Sequence, residues 1–335
     1  MDTRTPEAPV LRAEGLAKSY EGWTALEELS FQLQRGHVLG FLGPNGAGKT
    51  TSIRILTTIL APSSGRFEIG GVGSERPAKI RPLIGVLPET LGLPNQITGI
   101  EYMTYFGQLY GRRRAEARTH GAALLELVGL RGRARKLIRT YSHGMRQRLG
   151  IARALVNDPL VLFLDEPIVG LDPRGQQDLL SLLREIATER GAGIIFCSHG
   201  LAEVEGACDD VVILSSGRVV ASGSVAEVME QARRTSPGRT GLRLQVPTDA
   251  VRRATEALNA MPHVESVAGS IVEGQLEVTM STAPNTAPNT APGVDAEFNP
   301  IIENLIRSDI PVLSFEVEGS RLQDAFMQLT EEGVR

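Results

Sequence analysis

The sequence predicts an α/β chain built around a parallel sheet, with a smaller α+β module after it. Three observations carry this. Apolar runs at 38–42, 161–164 and 193–197 alternate with helical patterns, as in sheets whose two faces are both covered. A glycine-rich loop at 43–51 lies between one of these runs and a helical stretch. After about residue 236 the elements become shorter and change order.

Residues 1–9 read as a flexible tail. From 10 to 42, apolar stretches at 10–11, 29–33 and 38–42 sit between glycines and charged turns and read as strands. A helix is expected over 50–60. Residues 101–156 are helical in pattern, with one helix ending near 125–130 and another over 145–155. A strand at 161–164, a helix near 174–190 and a strand at 193–197 complete a first domain over 10–235. SerProGlyArgThrGly at 236–241 marks a boundary. The domain over 236–335 then reads strand 242–246, helix 249–260, strands 264–269 and 274–280, helix 298–308, strand 311–317 and a short helix 321–330. That order is βαββαβ, the split βαβ arrangement. The repeat ThrAlaProAsn within 282–292 lacks apolar bulk and reads as a low-complexity loop.

Composition narrows the function. Hydrophobic residues at 41% and charged residues at 22% are ordinary for a globular chain, so a sizeable core can form. A net charge of −4 and a pI of 5.9 argue against nucleic acid as the main partner. Two cysteines, Cys197 and Cys208, make neither a disulfide framework nor a metal motif, which suits a reduced, cytosolic protein. No apolar run reaches 18 residues and the N-terminus has no signal-peptide core, so any membrane role is expected to come from docking. The basic runs 112–114 and 131–139 read as solvated faces.

Gly43-Pro44-Asn45-Gly46-Ala47-Gly48-Lys49-Thr50-Thr51 fits G-x-x-x-x-G-K-[ST]. Its glycines permit turns a Cβ would block, and the following helix start aims N–H groups and a positive dipole end at phosphate. Lys49 adds a point charge, and the Thr50 hydroxyl is a hard oxygen ligand suited to Mg²⁺. A second motif, 160–164 followed by Asp165-Glu166-Pro167, delivers two carboxylates at the C-terminal end of a buried strand, where open α/β sheets place ligands. Asp165 suits the Mg²⁺ shell and Glu166 suits polarising a water.

With Tyr141-Ser142-His143-Gly144-Met145 before a helix, the chain resembles the ABC ATPases over about residues 10–235. Their signature is commonly Leu-Ser-Gly-Gly-Gln, so only Ser142 and Gly144 match, while a Ser-capped helix start can still hold a phosphate. The resemblance implies a P-loop NTPase core, with an antiparallel β subdomain and a helical subdomain beside the parallel sheet. It implies ATP and Mg²⁺ as ligands, and two cassettes closing head to tail, with Ser142 and Gly144 serving the partner chain's ATP. Tyr20 matches the aromatic that stacks on adenine, with Trp23 a nearby competitor, and His199 matches a histidine that contacts the γ-phosphate. Residues 170–172 resemble the loop that crosses to the partner, and Ile168 stands where the family often has threonine.

Glu89 occupies a position where the family usually has glutamine; its carboxylate suits a Mg²⁺ site and only accepts hydrogen bonds. Leu87-Pro88-Glu89 and the aromatic-rich stretch 92–111 resemble bacterial ABC-2-type exporters of drugs, antibiotics or sodium. The expected partners are a separately encoded transmembrane permease, met through a groove at 92–111, and a second copy of the chain. The expected location is the cytoplasmic face of the membrane. A soluble ABC ATPase acting on DNA or ribosomes is the alternative. One cassette per chain argues against the translation-type members, which usually carry two, and the 53 residues from Glu89 to Ser142 leave no room for the long coiled coil of the DNA-repair members. Glu166 argues against a non-hydrolysing subunit.

Overall fold

The computed structural model describes residues 8–198, 206–235, 239–262, 264–269, 273–281 and 295–317. The chain forms two compact units, Met1–Val225 and Ala226–Arg335.

In the first unit one parallel layer is formed by β3 (Val38–Leu42), β6 (Ile84–Leu87), β7 (Val161–Asp165), β8 (Gly193–Ser198) and β9 (Asp210–Ser215), in the order β9-β3-β8-β7-β6. Every residue of β3, β7 and β8 is buried, which explains their unbroken apolar runs. The antiparallel portion has β1 (Leu11–Tyr20) between β2 (Trp23–Leu33) and β4 (Ser64–Ile69), with β5 (Val72–Gly73) at its edge. The strand β10 (Arg218–Ser224) pairs antiparallel with β9 and joins the two portions through Arg218↔Glu27 of β2. One core, containing Leu16, Phe31, Phe41, Ile55, Phe67 and Phe163, runs beneath both.

Helix α1 (Lys49–Leu56) follows the glycine loop. It stops short of the expected residue 60. The Thr57 hydroxyl donates back to Ile53 O at 2.7 Å, and Thr58 enters the left-handed region at φ 62°, turning the chain toward β4. The short α2 (Pro77–Ile80) leads into β6. Helices α3 (Gly99–Leu109), α4 (Arg114–Leu127) and α5 (His143–Ala154) form the helical portion. Thr98 and Glu101 cap α3 reciprocally. Glycines allow close approach of α3 and α4: a Cβ on Gly107 would lie 2.8 Å from Ala117 Cβ, and one on Gly121 would lie 2.8 Å from Met103 Cβ. Helix α6 (Pro173–Arg190) is N-capped by Asp172, which accepts from Gly175 N at 3.3 Å.

The second unit contains β11 (Arg239–Gln245), α8 (Val251–Asn259), β12 (Val264–Gly269), β13 (Gln275–Ser281), α9 (Asp295–Arg307) and β14 (Ser314–Val317). These follow α7 (Val225–Thr235), which starts at the division between the units. Its sheet is wholly antiparallel in the order β12-β13-β11-β14, the split βαβ topology expected from the element order. Leu242, Leu244, Leu276 and Val278 of the sheet bury against Ala254, Leu258, Ile301 and Leu305 of the helices. The expected helix 321–330 and repeat 282–292 lie outside the described residues.

Candidate functional site

Three strand ends bring the chemistry together. In the register of the parallel layer Leu42 pairs with Ser198, Asp165 with Cys197, and Leu87 with Leu164. The loops leaving β3, β6 and β7 therefore emerge at the same carboxyl edge of the sheet, with β8 between β3 and β7, where such sheets bind ligands. They line a cavity of about 250 Å³ with Asn45, Gly46, Gly48, Lys49, Thr50, Thr51, Glu89, Asp165 and Glu166, to whose lining Trp23 and Ala25 also contribute.

The glycine loop is folded as its sequence requires. Gly43, Gly46 and Gly48 have φ of 152°, 83° and 105°, which side-chain-bearing residues rarely adopt. A Cβ on Gly43 would come 2.3 Å from Leu214 O, and one on Gly48 would come 2.9 Å from Ala25 O. Ala47 O accepts from Gly217 N at 3.1 Å, so the turn between β9 and β10 braces the loop. Lys49 opens α1 and is buried, its Nζ donating to Gly43 O at 2.6 Å and Pro44 O at 3.2 Å. The ammonium is thus fixed among backbone carbonyls at the cavity wall.

Opposite it, Asp165 ends β7 and is buried, while Glu89 and Glu166 line the same cavity. Burial pushes the Asp165 carboxyl above its usual range, and the charges of Glu89 and Glu166 push it the same way. Lys49 and Arg54 offset part of this. The crowding of three carboxylates is the environment a divalent cation relieves. Among the described residues no cluster forms a complete metal cage by itself. The hard oxygens of Thr50, Glu89 and Asp165 on the cavity wall are of the kind that Mg²⁺ takes alongside substrate phosphates. Glu166 sits at φ 48°, a left-handed conformation that is unusual outside glycine and that its surroundings must hold.

Tyr20 and Trp23 sit either side of the β1–β2 turn, stacked with centroids 5.3 Å apart and 19° between planes. Trp23 lines the cavity and Tyr20 is not among its lining residues. Ser142 and Gly144 also lie away from it, at the start of α5, where the Ser142 hydroxyl accepts from Met145 N at 3.3 Å. Tyr141 has a structural reason to be there: its ring is buried and its hydroxyl donates to Arg133 O at 2.8 Å. Ile168 is buried too, where an apolar side chain is accommodated. His199 lies outside the described residues. Both cysteines are free and buried.

The match to known proteins follows this geometry. The family model described as ABC transporter matches residues 26–169. The linearmycin resistance ATP-binding protein LnrL of Bacillus subtilis is 32% identical over 329 residues, 97% of this chain and 100% of that protein. The chain is an ABC transporter ATP-binding protein, an ATPase of that family. The daunorubicin/doxorubicin resistance ATP-binding protein DrrA of Streptomyces peucetius is 33% identical over 98% of this chain and 94% of its own length. Among solved structures, cbiO1 from Clostridium perfringens, described as part of the ABC transporter complex cbiONQ, superposes with a TM-score of 0.62 at 32% identity. It covers 68% of this chain and 95% of its own. The family match lies within the first unit, and the alignments with the two resistance proteins span nearly the whole chain.

Proposed function

We propose that the chain hydrolyses ATP to drive a bacterial exporter, pairing head to tail with a second copy and docking from the cytoplasmic side on a separately encoded permease. The observation that carries this is the single cavity joining Lys49 and Thr50 of the glycine loop with Glu89, Asp165 and Glu166 from two other strand ends. Near-complete alignment with two proteins named for drug resistance supports the exporter part.

The loop N–H groups and Lys49 bind the phosphates, and the aromatic pair at the β1–β2 turn receives the adenine. Mg²⁺, when bound, supplies Lewis-acid charge at the phosphate oxygens, and Thr50, Asp165 and Glu89 are the residues that would hold it. Glu166 orients and deprotonates the attacking water. His199, by its place after β8, is assigned the terminal phosphate. Ser142 and Gly144 stand off the cavity of their own chain, which supports a role on the partner's nucleotide.

Among the described residues no helix is long and apolar enough to cross a membrane. In α3, Tyr102 is buried and Phe106 packs against it at 4.8 Å, whereas Tyr105 and Leu109, with Tyr110 just past the helix end, are exposed. That exposed set is the surface assigned to the permease.

Glu166→Gln keeps the shape and removes the base. It should bind ATP with near-native affinity, lose about 10²–10⁴-fold in turnover, and elute as a dimer when ATP is present. Turnover at the native rate, or a monomer in saturating ATP, would overturn the assignment.

A further inference from the structure

The chain after Glu166 is tied to the start of α5 by one side chain. His143 Nε2 lies 3.0 Å from Val169 O. A carbonyl oxygen only accepts, so this nitrogen carries a proton and donates. Val169 N in turn donates to Glu166 O at 3.4 Å, and Leu171 N to Ile168 O at 3.2 Å. Small residues on both segments let them meet. A Cβ on Gly170, whose φ is 77°, would come 3.2 Å from His143 Nε2, and a Cβ on Gly144 would come 3.3 Å from Leu171 Cδ2. The result is a continuous chain of contacts from the Ser142 end of α5, through His143 and Val169, to the backbone of Glu166.

We infer that His143 is a positioning residue that couples the two ATP sites of the dimer. The inference rests on the composite-site reading above, in which Ser142 and Gly144 serve one nucleotide and Glu166 the other. When the α5 start engages the partner's nucleotide, His143 moves with it and draws on Val169 O. Val169 is bonded to Glu166 O, so the displacement arrives at a residue held at φ 48°. A left-handed residue of this kind is kept in place by its surroundings, so a small shift re-aims its carboxylate toward or away from the attacking water. Glycine, the common residue at this signature position in the resemblance, has no side chain to make the tie.

The test compares His143→Gln with His143→Asn in the full chain, measuring ATPase rate against ATP concentration. The glutamine amide reaches the place of Nε2 and the asparagine amide stops short, while both are polar and tolerated at a helix start. With two coupled sites the Hill coefficient of the native chain rises above 1 toward its limit of about 2. His143→Gln should retain it and His143→Asn should fall to about 1, with the melting temperatures of all three alike. Equal Hill coefficients in the two variants, or no cooperativity in the native chain, would overturn the coupling. Failure of the composite site itself reads out separately, as loss of activity recovery between two differently disabled chains mixed together.

Discussion

Replacing Trp23 tests how the cavity receives the base. Trp23 lines the cavity with 59% of its surface exposed, and its ring stacks on Tyr20 at 5.3 Å. Tyr20 is also approached by Lys18, whose Nζ lies 5.3 Å from the ring centroid. On the proposed reading Tyr20 backs Trp23, and the indole is the ring that would meet adenine. Base–aromatic stacking contributes about 1–3 kcal/mol. Trp23→Ala should therefore weaken ATP binding about 5- to 150-fold, toward the lower end for a ring at an open mouth. Tyr20→Ala removes only a supporting ring contact of about 0.5–1.5 kcal/mol, a 2- to 10-fold effect. In the Trp23→Ala background it should cost less still, because its partner has gone. Calorimetric titration of the single and double variants gives these numbers. Trp23 is the sole tryptophan, so indole fluorescence of the native chain reports contact directly. An unchanged emission on adding ATP, with Tyr20→Ala the more damaging variant, would refute the arrangement.

Two other substitutions probe the carboxylates. Burial and the neighbouring Glu89 and Glu166 raise the Asp165 pKa in the folded chain. The folded state then holds this proton more tightly than the unfolded state, so stability falls as pH rises from the ordinary carboxylate value through the raised one. Asp165→Asn should melt higher than the native chain at neutral pH without Mg²⁺, by about 2–4 °C per kcal/mol relieved, and lose Mg²⁺-dependent hydrolysis; an unchanged or lower melting temperature there contradicts the charge crowding. Glu89→Gln should keep nucleotide binding but alter both ATPase rate and permease-coupled transport; equal rates in both assays would remove any special role for the carboxylate.

The parts legible in the sequence are those fixed by local backbone demands. Gly43, Gly46 and Gly48 each adopt a conformation that only glycine takes readily, and the all-buried β7 delivers Asp165 where its apolar run stops. Both leave marks at neighbouring positions in the chain. The choice between Tyr20 and Trp23 depends on the pairing register of a hairpin, Tyr20↔Trp23, which composition does not encode. Polar residues around that turn also hide the full extent of β1 and β2, whose ladder is broken by bulges. The tie from His143 to Val169 spans 26 residues and two elements, so no short motif announces it. The end of α1 falls short of residue 60 because Thr58 adopts a left-handed conformation that β-branched residues seldom show.

Two chains, each disabled on one side only, test the central claim that each ATP site is built from both. Glu166→Gln removes the base from one variant. Ser142→Asp in the other keeps the helix cap but sets a carboxylate against the incoming phosphate. Each alone should be nearly inactive. Mixed in equal amounts, half the dimers pair the two variants, and each of these holds one intact composite site and one doubly damaged site. Independent sites would bring recovery to about a quarter of the native ATPase rate, and coupling between the sites lowers that figure without abolishing it. No recovery from a mixture shown to exchange subunits would place the whole site within one chain and contradict the account.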